Sequence, residues 1–83
     1  PVIVAGYTDN VPVSKRSKYA SNWELSSARA VTVMRYFVSK GAISESNVSV
    51  QAYAENKPKA SNDTDEGKAQ NRRVEIIIQK INS

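Results

Sequence analysis

The chain has 83 residues, of which 40% are hydrophobic and 24% are charged, as expected for one small globular domain. It contains no cysteine and no histidine, which argues against disulfides, thiolate sites, zinc sites and Ser–His hydrolase arrangements. Twelve Lys and Arg residues against eight Asp and Glu give a net charge of +4, which favours an anionic partner: nucleic acid, anionic lipid or a cell-wall polymer.

The chain opens with a predicted strand. Residues 2–6 form a short β-branched run that ends at a glycine, which is typical of a buried strand. A polar loop of about 14 residues follows, from Tyr7 to Ala20, and carries Thr8, Asp9 and Asn10 directly after the strand. Loops of this length in a compact domain are more often functional than accidental. The sequence therefore directs attention to the start of this loop.

A long helix is predicted from about Asn22 to Lys40. Ser21 is placed to cap it, and Glu24 completes a capping-box pattern. An apolar stripe of core residues has the i, i+3, i+4, i+7 spacing of a helix face, and consists of Ala30, Val33, Met34 and Phe37. Gly41 follows as an end signal. Arg29, next to this stripe, is the one residue that fits poorly with a simple amphipathic helix.

The second half of the chain predicts a strand, a short helix and a last strand. Residues 47–54 alternate as a strand with one wetter face, and 55–62 form a polar loop. Asp63 or Thr64 begins a short helix that ends near Asn71, although Gly67 weakens it. Residues 73–81 form the strongest strand. We predict an α+β fold, a two-layer α/β sandwich with the element order βαβαβ. The first two strands should run parallel within a mixed sheet, and the helices should lie on one face of it.

This order brings together residues with binding chemistry. The loop after the first strand and the first turns of the long helix meet at one edge of the sheet, where open sheets bind ligands. Asn22, Leu25 and Arg29 share one helix face, which lies near Thr8 and Asp9. A ligand with an ammonium and a carboxylate would suit Asp9 and Arg29. Spacing equally allows these two residues to pair with each other and to fix the loop to the helix.

Two other classes of function are less well supported by the residues. Asp9 with Glu24 or Asp63 could form a carboxylate pair for glycoside cleavage, but no feature indicates a raised pKa. Arg72, Arg73 and Tyr53 could help to bind nucleic acid, but the chain has no basic stripe with interleaved aromatic residues. We predict no enzyme activity, no nucleic-acid partner, no cofactor and no metal.

Four segments carry a resemblance to a known family. "VIVAGYTDN", "SNWELSSARA", "VSVQAYAENKP" and "NRRVEIII" are similar, in this order, to the C-terminal peptidoglycan-binding domain of OmpA-like proteins. The resemblance covers residues 1–83 as one domain. "TDNVP" together with "SNWELSSARA" most resembles the subgroup found in flagellar motor stator B subunits, the MotB/PomB type.

The resemblance implies roles for individual residues. In the family, an acid and an arginine grip the diaminopimelate of the peptidoglycan stem peptide, and these positions fall on Asp9 for the ammonium and Arg29 for the carboxylate. It implies that Arg72 lies near the site and that Arg73 is structural. The remaining residues expected to shape the pocket are Thr8, Asn10, Asn22 and Leu25.

The resemblance also implies a cellular setting. Stator B subunits are inner-membrane-anchored proteins whose periplasmic domain holds the stator on the cell wall, and they meet a stator A subunit through an upstream transmembrane region. The alternative within the family is the anchor of an outer-membrane protein or a lipoprotein. The family domain normally begins with a further strand and helix, so we predict a chain truncated at its N-terminus. An uncovered sheet edge would then be covered by a second copy, as a homodimer.

Overall fold

Five helices and strands, with one short 3₁₀ turn, make up the computed structural model, which describes residues 1–79. Their predicted order is confirmed, and the fold is α+β. The elements are β1 (Val2–Tyr7), α1 (Asn22–Ser39), a 3₁₀ turn (Glu45–Asn47), β2 (Val48–Ala52), α2 (Asp65–Asn71) and β3 (Arg73–Ile78). The last positions of the strand predicted over 73–81 lie outside the described residues.

The three strands form one mixed sheet in the order β2-β1-β3. β1 runs parallel to β2, with Val4 opposite Val50, and antiparallel to β3, with Val4 opposite Ile76. The carboxyl ends of β1 and β2 and the beginning of β3 therefore meet at one edge of the sheet. This edge contains the loop that starts at Thr8 and the segment that enters β3 at Arg73.

Helix α1 packs on the sheet through a very close approach. Ser21 caps its first turn, because the Ser21 Oγ accepts a hydrogen bond from the Trp23 N–H at 3.1 Å and donates to the Glu24 carboxylate. Ala30 is fully buried against the sheet. A Cβ atom at Gly6 would lie 2.0 Å from the Ser26 carbonyl oxygen, so only glycine permits this contact. The helix therefore crosses β1 directly beside the predicted site.

Helix α2 contains a glycine for a similar reason. Thr64 caps the helix by accepting a hydrogen bond from the Gly67 N–H at 3.0 Å. A Cβ atom at Gly67 would lie 1.8 Å from the Ser61 carbonyl oxygen. The residue that weakens the helix by propensity is thus required by the packing of the preceding loop. That both helices share one sheet face stays a prediction for α2.

The described part of the chain has two α-helices, α1 and α2. None of its helices combines the length and the apolar character that crossing a bilayer requires.

Candidate functional site

Asp9 is the best-positioned charged group at the sheet edge. It lies two residues after β1 and is buried, and its Oδ1 accepts a hydrogen bond from the Val11 N–H at 3.0 Å. Its Oδ2 accepts a hydrogen bond from the Arg72 Nη1 at 2.7 Å, which is also an ion pair. The first contact is a local turn that the Asp side chain makes with its own backbone. The second joins the beginning of the chain to the segment between α2 and β3.

These contacts keep the Asp9 carboxylate charged. Burial acts to raise the pKa of Asp9, but the hydrogen bond from Arg72, the hydrogen bond from the Val11 N–H and the charges of Arg72 and Lys68 outweigh it. The pKa therefore lies below its ordinary value. Asp9 is an anion at neutral pH and is suited to bind a cation.

Arg29 lines a cleft that also contains Arg72, the ion-pair partner of Asp9. The cleft has a volume of about 390 Å³ and combines arginine side chains with an apolar wall; its lining residues are Tyr19, Ala28, Arg29, Thr32, Val33, Arg72, Arg73 and Val74. Arg29 itself is exposed. Because Arg72 both contacts Asp9 and lines this cleft, it connects the buried anion with the wall that carries Arg29. The cleft is suited to an anionic group that also has an apolar part.

The direct Asp9–Arg29 pair that spacing allowed is not formed. The ion-pair partner of Asp9 is Arg72, 63 residues further along the chain. The reason is topological: the antiparallel pairing of β3 with β1 places Arg73 opposite Tyr7, and so brings Arg72 to the loop of Asp9. Arg72, which the resemblance places near the site, therefore contacts Asp9 directly.

Asn22 connects three segments around Asp9. It is buried at the start of α1, and its Nδ2 donates to the Val11 carbonyl oxygen at 3.1 Å and to the Glu55 carboxylate at 3.4 Å. The helix is thereby attached both to the loop of Asp9 and to the loop after β2. Glu55 adds a second carboxylate to this edge, one that the sequence analysis did not single out.

The other predicted site residues are distributed around this centre. Thr8 is buried, its Oγ1 donates to the Asp9 carbonyl oxygen at 2.8 Å, and its N–H donates to the Ala54 carbonyl oxygen at 2.8 Å. Asn10 is exposed in the turn, and Leu25 is half-buried on α1. Thr8 therefore fixes the backbone of the site, whereas Asn10 remains accessible at its rim.

Three supporting residues were missed by sequence reasoning. Ser26 is fully buried and its Oγ accepts a hydrogen bond from the Ala54 N–H at 3.2 Å. Ala54 has a positive φ of 53°, which is uncommon for a residue other than glycine. Asn71 is fully buried and binds the backbone of Lys59 and Ala60. The burial of Ser26 could have been predicted from its position. It is a small residue four positions after Asn22 and four before Ala30, on the same face of α1.

Arg73 makes a different set of contacts from its neighbour Arg72. Its guanidinium lies 3.8 Å from the centre of the Tyr7 ring, and its Nε donates to the Glu75 carboxylate at 2.5 Å. Tyr7 in turn stacks on Tyr53, with ring centres 5.1 Å apart. Arg73 also donates to the Lys57 carbonyl oxygen at 3.2 Å. These contacts join β3 to β1 and to the segment that follows β2.

Comparisons with known proteins agree on one family. A sequence model of the OmpA family matches residues 1–72. Motility protein B of Bacillus subtilis is 44% identical over 77 residues, 93% of this chain and 29% of that protein. Peptidoglycan-binding protein ArfA of Mycobacterium bovis is 40% identical over 77 residues, 93% of this chain and 22% of that protein. The chain therefore spans less than a third of the length of either relative.

The fold is shared with a solved structure of the same kind. The C-terminal domain of Helicobacter pylori MotB superposes with a TM-score of 0.90 at 31% sequence identity. The match covers 98% of this chain and 60% of that one.

Proposed function

The chain belongs to the OmpA family, and from this premise we propose that it is a non-catalytic module that binds peptidoglycan. In this proposal Asp9 binds the ammonium of diaminopimelate in the stem peptide, and Arg29 binds its carboxylate. The observation that carries the proposal is the buried, charged Asp9, linked through Arg72 to a cleft whose wall bears Arg29. Thr8, Asn10, Asn22 and Leu25 hold and border the pocket.

The contacts of Asp9 define what a ligand must replace. An ammonium that reaches Asp9 takes the place of the Arg72 guanidinium on Oδ2, and Arg72 is then free to face the carboxylate in the cleft. Each charge-assisted hydrogen bond of this kind contributes about 1.5–3 kcal/mol. In this exchange the buried Asp9 carboxylate stays paired with a cation, and the released Arg72 side chain is about half exposed.

The competing chemistries fit the site less well. A glycosidase needs an acid with a raised pKa, whereas the pKa values of Asp9 and Glu24 are both lowered, that of Glu24 chiefly by the hydrogen bond from the Ser21 hydroxyl. Of the residues considered for nucleic acid, Arg73 and Tyr53 are already engaged with Tyr7. Arg29 and Arg72, in contrast, line the cleft and remain exposed, so both are accessible to an anionic group of a ligand.

For the whole protein we propose the role of a cell-wall anchor of a flagellar motor stator. In this proposal the module lies in the periplasm, belongs to an inner-membrane-anchored protein, and acts with a stator A subunit. The similarity to two motility B proteins supports this role. The similarity to ArfA keeps open the anchor of an outer-membrane protein or lipoprotein. The preceding sequence discriminates: a transmembrane helix with an Asp indicates a stator, and a lipoprotein signal the alternative.

A homodimer is part of the same proposal. β3 is an edge strand of the described sheet, and its isoleucines are exposed, with Ile78 at 78%. Edge strands with apolar side chains tend to pair with another chain. We expect sedimentation to show a dimer at micromolar concentration that the substitution Ile78→Lys dissociates. A well-folded monomer of the unmodified chain at that concentration would contradict this part of the proposal.

Pull-down with purified peptidoglycan tests the binding proposal. Asp9→Ala and Arg29→Ala should each abolish co-sedimentation with diaminopimelate-type peptidoglycan, with an unchanged circular dichroism spectrum. Arg35→Ala is the matched control, because Arg35 is another exposed arginine of α1 and does not line the cleft. Binding that persists in both Asp9→Ala and Arg29→Ala would reject the assignment of the site.

A further inference from the structure

A second cleft lies next to the arginine cleft. It has a volume of about 500 Å³, is more open, and is lined by Tyr19, Trp23, Glu24, Ser27 and Ala28. Tyr19 and Ala28 line both clefts, so the two are continuous. On α1 the residues of the second cleft precede those of the first at helical spacing, along one side of the helix. A single extended ligand could therefore occupy both.

The walls of the second cleft are aromatic. Trp23 is the only tryptophan of the chain and is 52% exposed in the first turn of α1. Tyr19 is half-buried beside it, with the Lys18 ammonium 5.3 Å from its ring centre. An exposed indole face carries a negative partial charge, and it attracts C–H groups that are polarised by neighbouring oxygens. The ring faces of pyranose sugars present such C–H groups.

The polar groups of this cleft suit hydroxyl groups rather than an anion. Glu24 is exposed and accepts a hydrogen bond from the Ser21 hydroxyl, and Ser27 adds a hydroxyl of its own. No arginine lines the second cleft, whereas three line the first. A negative ligand group is therefore directed to the arginine cleft, and a neutral ring with hydroxyl donors to the aromatic cleft.

We propose that Trp23 and Tyr19 form a subsite for a sugar ring of the glycan strand, while the attached stem peptide lies in the arginine cleft; this rests on the proposed peptidoglycan binding. The dimensions agree. Trp23 and Arg29 are six residues apart in α1, about 9 Å along the helix axis. A lactyl group and two amino acids separate the sugar from diaminopimelate in a stem peptide, so this linker extends beyond the roughly 7 Å of two extended residues and can span the distance.

Two ligands separate this subsite from the peptide site. One is a diaminopimelate-containing tetrapeptide, and the other is the same tetrapeptide on its disaccharide. Calorimetry of the chain should show that the sugar-bearing ligand binds about threefold to tenfold more tightly. Its binding should also shift the fluorescence of Trp23, which reports on this cleft alone because the chain has no other tryptophan. The tetrapeptide without sugar should leave the emission unchanged.

Variants then assign the gain to the aromatic wall. Trp23→Ala should lower the affinity for the sugar-bearing ligand to that of the tetrapeptide and leave tetrapeptide binding unchanged, and Trp23→Phe should retain part of the gain. Tyr36→Ala is the control, since Tyr36 is 57% exposed on the same helix but lines neither cleft. Equal binding of both ligands, or equal losses for both in Trp23→Ala, would overturn the sugar subsite alone. Failure of both ligands to bind the unmodified chain would overturn the proposed function as well.

Discussion

Arg72 and Arg73 are neighbours in the sequence, and each pairs with a carboxylate, but the two pairs are built in opposite ways. In the Asp9–Arg72 pair the carboxylate is sheltered and the guanidinium is 45% exposed. In the Arg73–Glu75 pair the guanidinium is the sheltered partner, at 17% exposure, and it also lies on the Tyr7 ring. An exposed guanidinium can exchange its partner at little cost, whereas a sheltered one with several contacts is fixed. The difference predicts that Arg72 responds to a ligand and that Arg73 stabilises the fold.

The largest effect on peptide affinity should follow from removing the charge of Asp9, the sheltered carboxylate. Asp9→Asn keeps an oxygen that accepts from the Val11 N–H but no longer attracts an ammonium, so the affinity for a diaminopimelate peptide should fall about 10-fold to 100-fold. Glu75→Gln makes the same chemical change in the second pair and should leave the affinity unchanged. Calorimetry of both variants measures the contrast. Equal losses in the two variants would remove the distinction between the pairs.

The second prediction concerns the stability of the fold and the Arg73–Glu75 pair. Arg73→Ala removes the contact with the Tyr7 ring and the hydrogen bonds to Glu75 and to the Lys57 carbonyl oxygen. The free energy of unfolding in urea should fall by about 1–2 kcal/mol. The folded fraction should still bind the peptide, because Asp9 and Arg29 are retained, although the cleft loses one of its three arginines. A variant of unchanged stability would show that Arg73 does not hold the sheet together.

The two regions should also respond to opposite extremes of pH. The pKa of Asp9 is lowered, so its contribution to stability is complete above about pH 4 and is lost as the pH falls through the lowered value. The pKa of Tyr7 is raised, first by burial and then by the charge of Glu75. The contribution of Tyr7 is therefore complete below about pH 10 and is lost as the pH rises through the raised value.

Urea unfolding across the pH range checks both halves of this prediction. Asp9→Asn should flatten the acid limb of the stability profile, and Tyr7→Phe should flatten the alkaline limb. Each variant should leave the other limb as it is. An acid limb that Asp9→Asn does not alter would mean that the Asp9–Arg72 pair does not lower the pKa of Asp9.

The smallest effect is expected for Arg72. Arg72→Ala removes one hydrogen bond from the sheltered Asp9 carboxylate but a guanidinium that is itself half exposed, so the free energy of unfolding should fall by about 0.5–1 kcal/mol. Its effect on peptide affinity should stay within about threefold, because the loss of a cation in the cleft is offset by freeing Asp9. A loss of stability as large as that of Arg73→Ala would contradict the comparison of the two arginines.

The sequence predicted the elements well because their signals are local. The capped start of α1 at Ser21, its apolar stripe and the β-branched strands all depend on neighbours within a few positions. The contact of Asn22 with the loop of Asp9 was predictable, because the strand–loop–helix order places the two segments side by side. The partner of Asp9 was not predictable in this way. Its contact with Arg72 depends on the register of two strands at opposite ends of the chain.

The supporting residues of the site were missed for the same physical reason. The conformation of Ala54, with its positive φ, is imposed by hydrogen bonds to Ser26 and Thr8, which come from two other segments. The role of Gly67 likewise depends on how closely the loop at Ser61 approaches the helix. Neither contact can be predicted from a pattern of residue types along the sequence.

The central claim is that Asp9 and Arg29 bind the two ends of diaminopimelate, and one thermodynamic cycle tests it most directly. It compares two stem tetrapeptides, one with diaminopimelate and one with lysine, which keeps the side-chain ammonium but lacks the second carboxylate. Calorimetry of the unmodified chain should show about 10-fold to 100-fold tighter binding of the diaminopimelate peptide. In Arg29→Ala this preference should disappear, while the lysine peptide binds as before. Equal affinities of the unmodified chain for the two peptides, or a preference that survives in Arg29→Ala, would contradict the account.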